Sequence, residues 1–426
     1  MGNPFPNFPD MQTLQESTGK SIFDRDQFFS TFASERSWEP GWLADHRSDA
    51  WEKFRKYKEP TLKDENWRFS PKHLFSLANV QNLSSEKDLV QLSAIESDQA
   101  LFQNLDKMIL DFPNELSSIT DQTGPDLGAT QTYFLTSALA DNGFFLGTRI
   151  NAEIKEPFVI EHKIPKGESI TFEKNVIHIA PFSSAIVFEF INSVDSSSRG
   201  NASSTLNVTL GESANLVRVL VQNANTDTTL HQFENFSLGR DSTLRNVTIH
   251  IGASHCRSET KGDLIGRGAS FENFSLFMGS GNQLFDQRTR QVHSSPDCTS
   301  NLLSKNALND QAKSIFSGLI KVEEVASNTN AYQTNRNLLL CNDAEADSLP
   351  GLEILANEVK CSHGATTSKI DEQELFYLLS RGIPLSSAEK LISLGFLDEV
   401  IEKANNEDLI EKIRAVIESK FDSLTS

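Results

Sequence analysis

Apolar positions recur along this chain with two different periods, and the changes of period divide it. Between about residue 10 and residue 110, aromatic and aliphatic residues fall among helix formers, as in Ser21-Ile-Phe-Asp-Arg-Asp-Gln-Phe-Phe and Trp51-Glu-Lys-Phe-Arg-Lys-Tyr. All four tryptophans (38, 42, 51 and 67) lie in this stretch. Pro40-Gly41 interrupts it, so a helix is expected to start just after, with Trp42, Asp45, His46 and Asp49 on one face. From about 131 the period shortens to 2. Phe158-Val-Ile-Glu-His-Lys-Ile, Ile186-Val-Phe-Glu-Phe-Ile, Asn215-Leu-Val-Arg-Val-Leu-Val and Leu244-Arg-Asn-Val-Thr-Ile-His-Ile read as strands, with Gly or Asn at the corners and no helical stretch from about 205 to 300. After 370 the period returns to 3.6. Asp371-Glu-Gln-Glu374 has the form of a capping box, and Arg381-Gly382 followed by Pro384 closes that helix. A second helix is expected from Ser386 to Gly395. A third starts near Asn406, with Leu409, Ile410, Ile413, Val416, Ile417 and Phe421 in one stripe.

One hexapeptide, Phe-Glu-Asn-Phe-Ser-Leu, occurs at 233–238 and again at 271–276, an offset of 38. Stacked coils bury Phe and Leu in columns, so the repeat predicts a parallel β-helix with the two copies in equivalent positions two coils apart. The expected fold class is therefore mainly β. A right-handed parallel β-helix core, residues 149–370, would lie between an N-terminal mainly helical domain, 1–148, and a C-terminal helical domain, 371–426.

Composition narrows the function. The 426 residues carry a formal net charge of −19 and a pI near 4.9, which disfavours nucleic acid and anionic lipid as partners. Four cysteines, at 256, 298, 341 and 361, with no Cys-x-x-Cys pair, argue for a reducing compartment rather than a disulfide framework. No apolar run is long enough to span a bilayer, and Met1-Gly-Asn-Pro-Phe-Pro carries no targeting pattern; cytoplasm or an organelle stroma is expected. The sequons at Asn82, Asn201, Asn207, Asn235, Asn246 and Asn273 are then not glycosylation sites. Gly19-Lys-Ser21 ends like a phosphate-binding loop, but Leu14 stands where its first glycine belongs, so no nucleotide site of its own is expected.

Histidines cluster near cysteines in three places: His250-x4-His255-Cys256, His293-x4-Cys298 and Cys361-Ser-His363. Thiolate with imidazole suits iron or zinc, though the first two spacings match no familiar zinc site. In the third, Glu358-Val-Lys-Cys-Ser-His reads as a strand that puts Val359, Cys361 and His363 on one face, pointing into the solenoid near its end. The same pattern also describes an inert core thiol beside a hydrogen-bonded imidazole, and local sequence alone favours that reading.

From residue 286 onward the chain resembles a known family. Asp286-Gln-Arg-Thr-Arg-Gln-Val-His-Ser-Ser-Pro-Asp-Cys, the run from Ala312 to Leu340, and Asp343 through Cys361-Ser-His-Gly-Ala-Thr366 are similar to the SufB/SufD family of iron–sulfur cluster assembly scaffolds. The Cys-x-His-Gly-Ala-Thr run resembles the SufD branch; the Glu-His-Glu-Ala type run of the SufB branch is missing. Cys341 and Asn330 depart from the family pattern, which more often has Ser and Asp there. The resemblance implies a non-enzymatic scaffold that pairs with SufB through the β-helix, as a heterodimer. The ABC-type ATPase SufC would engage the C-terminal helices around Phe376, Tyr377, Arg381 and Gly382. A transient Fe–S cluster would form at the SufB–SufD interface, with His363 as the ligand from this side and Cys361 beside it. A homodimer is implied for the isolated chain. Three rival readings stand beside this one: a SufB-like role accepting sulfur, a β-helix carbohydrate-active enzyme, and a zinc site around His250–Cys256.

Overall fold

The computed structural model describes residues 21–424, apart from 25–26, 58–59, 62–63, 78–79, 87, 94–96, 114–115, 117–123 and 196–199. The N-terminal Met1-Gly-Asn-Pro-Phe-Pro and the Leu14 and Gly19-Lys20 of the loop-like motif lie outside the described residues.

The protein is mainly β, a solenoid of about eight turns with helices at both ends of the chain. Each turn gives one strand to each of two facing sheets, one of ten strands and one of nine. Within the coils all pairing is parallel, and register partners are 26–32 residues apart, as in Thr229↔His255 and Lys313↔Glu345. A corner residue of each turn takes the left-handed backbone conformation, among them Asn151, Ser213, Asp241, Gly268, Asp297 and Asn328. Asn and Asp tolerate that region well. Their amides extend the inter-strand ladder around the bend: Ser213 N–H donates to Arg240 O at 2.7 Å and Asp297 N–H to Ser327 O at 2.9 Å.

The two copies of the hexapeptide are not equivalent. Residues 233–238 lie in a strand of the ten-stranded sheet and 271–276 in a strand of the nine-stranded sheet, so the expectation of matched positions two coils apart is wrong. An offset of 38 is no multiple of the 26–32-residue turn. The two phenylalanines of each copy are three apart, so one faces in and the other out whichever way the strand is set. In the first copy Phe233 faces out onto Tyr133 and Phe236 faces in; in the second Phe271 faces in, 5.5 Å from the Phe236 ring. Phe274 faces out, under the C-terminal helices.

The N-terminal region is less helical than expected. Helices Phe28–Ser34 and Gly41–Lys56 form, the latter starting after Pro40 as the sequence indicates. The same region also supplies Val90–Leu92 and Ala100–Asn104, which pair antiparallel with Phe158–Ile164 and Phe144–Thr148 and close the first end of both sheets. Thr130–Leu139 is a helix where the shorter period was expected to have begun. It is buried between helix Gly41–Lys56 and the ten-stranded sheet, so both of its sides are apolar and helical periodicity is lost. Arg257, wholly buried on the outer face of that sheet, fixes this layer: its guanidinium sits 3.9 Å over the Trp67 ring and donates to Leu127 O at 3.1 Å, while pairing with Asp286.

At the other end, helix Glu372–Ser380 is capped by Asp371, whose carboxylate accepts from the amides of Gln373 and Glu374. The next helix, Leu385–Ile401, runs straight through Gly395. A mid-helix glycine costs about 1 kcal/mol, less than the packing gained by Leu397, Val400 and Ile401 beyond it. The last helix, Glu407–Leu424, lays Leu409, Ile413, Ile417 and Phe421 in one core with Val219, Val247, Ile249 and Phe274 on the outside of the nine-stranded sheet. Lys420 secures it, donating to Met278 O at 2.7 Å and Gln283 Oε1 at 2.6 Å.

Candidate functional site

The first turn of the solenoid is closed by antiparallel strands, whereas among the described residues no strand pairs onto the last. Glu345–Ile354 is the terminal strand of one sheet and Lys360–Lys369 of the other. Each is paired on one side only, so each presents a row of free backbone N–H and C=O groups. On the strand that precedes Lys360–Lys369 in its sheet, Asn330–Leu339, the inward residues Ala331, Gln333, Asn335 and Asn337 are buried, whereas the side chains of Lys360–Lys369 are exposed except for Cys361.

Cys361 and His363 both lie on this last strand. Strand alternation sets both on the inward side, as the sequence indicates: Cys361 is in register with Ala331 and His363 with Gln333. Cys361 is half-buried against Ile320, Val322, Ala326 and Ala331, and burial pushes its thiol above the usual range. The expectation that His363 is enclosed in the solenoid is wrong; it is exposed, because no further turn covers it. An exposed imidazole and a shielded thiol two residues away can offer one nitrogen ligand at once, and a sulfur ligand only after deprotonation. Among the described residues no group of three His, Cys, Asp or Glu is placed to hold a metal by itself.

The fold keeps only one pair of the other two His–Cys groups together. His250 and Cys256 meet inside the solenoid, Sγ 3.8 Å from Nδ1, while His255 lies on the opposite face beside Phe75. Burial holds His250 down to about 3 and raises the Cys256 thiol, so the imidazole is neutral but the thiol stays protonated and would have to ionise to bind zinc. His293 Nε2 is 2.8 Å from Ser300 Oγ, and the Cys298 thiol donates to Gly266 O at 3.2 Å. The half-buried Cys341 donates to Asp310 O at 3.0 Å.

Sequence reasoning missed the polar interior. Arg218 lies wholly inside, with Nε 2.7 Å from Glu189 Oε1 and Nη1 2.7 Å from Glu234 Oε1. His162 joins the cluster, Nδ1 2.7 Å from Glu173 Oε2. Burial opposes its charge, but Glu173 and Glu189 outweigh burial and raise its pKa to about 10. Four buried sequon asparagines form two rungs of asparagine ladders: Asn235 Nδ2 donates to Asn207 Oδ1 at 3.2 Å and Asn246 Nδ2 to Asn273 Oδ1 at 3.0 Å.

Of the residues assigned to partner binding, Phe376 and Tyr377 are 72% and 57% exposed on helix Glu372–Ser380, which buries none of its residues. The Arg381 guanidinium lies 5.2 Å over the Tyr377 ring, and Gly382 takes a positive φ that ends the helix. The stripe of the last helix packs on this chain's own solenoid.

The solenoid with an open, histidine-bearing last turn has a family. Residues 162–396 match the family model described as the SUF system FeS cluster assembly SufBD core domain, and the chain belongs to that family. It is 29% identical over 381 residues to the iron-sulfur cluster assembly protein SufD of Escherichia coli K12, covering 84% of this chain and 88% of that one. The Bacillus subtilis protein of the same name is 26% identical over 426 residues, covering 93% and 98%. Protein ABCI7, chloroplastic, of Arabidopsis thaliana is 32% identical over 169 residues, covering 39% of this chain and 36% of that one. The SufD branch indicated by Cys361-Ser-His-Gly-Ala-Thr366 is the branch named in both long alignments. The chain is a component of iron–sulfur cluster assembly. No described helix is long and apolar enough to cross a membrane.

Proposed function

We propose that this chain is a non-enzymatic scaffold that joins a SufB-type paralogue through its open last turn and shares a nascent Fe–S cluster with it. The observation that carries the reading is the uncapped end itself. Two unpaired strand edges, Glu345–Ile354 and Lys360–Lys369, are a template for strand addition, and His363 lies on one of them with an incomplete ligand set. The cluster is cargo, held between the two proteins, with Cys361 a secondary ligand because its thiol is shielded and kept protonated. The second contact is with the ABC-type ATPase SufC, through the exposed aromatic face of Phe376 and Tyr377 and the end of that helix at Arg381 and Gly382. A nucleotide-driven change in the ATPase would pass from helix Glu372–Ser380 to the helices after it, which pack on the outside of the solenoid. We place the protein in cytoplasm or an organelle stroma.

The test is replacement of His363 in the complex co-expressed with the paralogue and the ATPase. His363→Ala keeps the three-protein complex and loses iron and sulfide; Cys361→Ser retains most of both. A His363→Ala complex with undiminished iron and sulfide would sink the ligand assignment.

A further inference from the structure

Directly in register beneath His363 is Gln333, on the neighbouring strand of the same sheet. Gln333 is 1% exposed, and its Nε2 donates to the carbonyl of Gly318 at 3.1 Å. That contact settles which way the amide faces, since a backbone carbonyl can only accept and the NH₂ group must point at it. The amide oxygen, Oε1, is then buried with no donor among the described residues. An unpaired buried acceptor costs about 1–3 kcal/mol. The fold makes room for this arrangement: a Cβ on Gly318 would lie 2.4 Å from Oε1. Adjacent strands lie about 4.8 Å apart, so the side chain stacked next to Gln333 on the open side is the exposed imidazole of His363.

We propose that Gln333 is a positioning residue for His363: its Oε1 accepts the N–H of one ring nitrogen, so that the other nitrogen presents its lone pair at the open end of the solenoid. The inference rests on His363 being a ligand and supplies what such a ligand needs. A metal-binding histidine ordinarily donates its second N–H to a carboxylate or carbonyl, which fixes the tautomer and the ring's direction. Here an unpaired acceptor lies one turn below, on an amide anchored to Gly318 O and shielded from water; the bond forms when the exposed ring of His363 turns inward onto it. The scaffold thus carries a prepared seat for the imidazole before any iron arrives.

The experiment reads the tautomer of His363 in the isolated chain, by long-range proton–nitrogen correlation on ¹⁵N-histidine-labelled protein, with His363→Gln identifying the signal. Native protein shows one dominant tautomer. Gln333→Met keeps the volume but removes the acceptor and gives a mixed signal. Gln333→Glu, protonated in this buried position so that it still donates to Gly318 O, keeps an acceptor and restores a single form. Gly318→Ala, which displaces the carboxamide from the other side, mixes the tautomers as Gln333→Met does. In the assembled complex Gln333→Met weakens iron binding about 10–100-fold while Gln333→Glu retains it. An unchanged tautomer in both Gln333→Met and Gly318→Ala overturns the proposal and assigns Oε1 to a water or to the amide of Asn335. Loss of the ligand role shows separately, as iron kept in His363→Ala, and leaves the tautomer result standing.

Discussion

Arg218 and Glu189 form a two-pronged ion pair at the centre of the solenoid, Nε to Oε1 at 2.7 Å and Nη2 to Oε2 at 3.1 Å. Both side chains are shut off from solvent, and the free Nη1 reaches Glu234 Oε1 at 2.7 Å and Asn246 Oδ1 at 2.9 Å. One guanidinium therefore ties together side chains from both sheets, the work an apolar core does in most solenoids. Breaking a buried pair on one side leaves an uncompensated charge, which costs about 3–5 kcal/mol. Arg218→Ala strands both Glu189 and Glu234. Its urea midpoint should fall by that equivalent, with Arg218→Met little better, because shape is not what is lost. A triple replacement of Arg218, Glu189 and Glu234 by apolar residues should recover most of the loss. Equal loss in the single and triple variants would show that the network matters for its packing and not its charge.

The same interior sets the pH range of the fold. His162 has a folded pKa raised to about 10 against an ordinary 6.5, so its contribution is complete below pH 6.5 and lost as pH rises through about 10. His250, His231 and His293 are held down to about 3, 4 and 4, by burial first and, for His250 and His231, by nearby arginines as well. The unfolded chain then binds more protons than the folded one below pH 6.5, and stability falls as pH drops from 6.5 toward 4. Unfolding midpoints measured across pH should decline below 6.5; above it the loss at His162 is opposed by Lys420, which burial holds down to about 7, so the midpoint should change little between 7 and 10. In His162→Gln the midpoint should rise with pH over that window while the acid decline persists.

Phe182 occupies one of the left-handed corners, with φ 59, and is half-exposed. The equivalent corners hold Asn151, Ser213, Asp241 and Gly268, residues that adopt this conformation at less cost. A bulky L-residue there costs about 1–2 kcal/mol. Phe182→Asn should raise the thermal midpoint, read by calorimetry. A fall would mean that the exposed ring makes contacts worth more than the backbone strain.

These residues also explain what could be read in advance. The strands and capped helices were legible because Val, Ile and Thr alternation and Asp371 or Asn406 caps act locally. The turn length was not, since it varies from 26 to 32 residues and the corners share a conformation and not a residue type. Arg218 was hidden for a related reason. Flanked by Val217 and Val219 it reads as the polar, outward position of a half-buried strand. In this strand the valines face outward, beneath the C-terminal helices, and the arginine faces in. The side of the strand that carries His363 was legible from alternation, but its exposure depends on there being no turn after it.

The C-terminal helices offer two apolar surfaces, and they separate a folding role from a docking role. The stripe of the last helix is spent on the solenoid: Ile413 and Ile417 are 1% and 0% exposed, packed over Val247 and Phe274. Phe376 and Tyr377 face solvent. Deleting residues 371–426 would strip the outer face of the nine-stranded sheet, so loss of ATPase binding in such a truncation would not distinguish the two roles. Point substitutions do. Ile417→Asp buries a carboxylate in an apolar core and should cost about 3 kcal/mol in stability. Phe376→Ser with Tyr377→Ser removes only exposed aromatic surface and should leave the unfolding midpoint within about 0.5 kcal/mol of the parent. The double variant should nonetheless lose the ATPase in co-purification, since exposed aromatic anchors beside an arginine are the residue types that dominate protein interfaces. If it retains the ATPase at native affinity, the docking surface lies elsewhere on the helical layer, and helix Leu385–Ile401 with its exposed Leu385 and Leu391 becomes the next surface to replace.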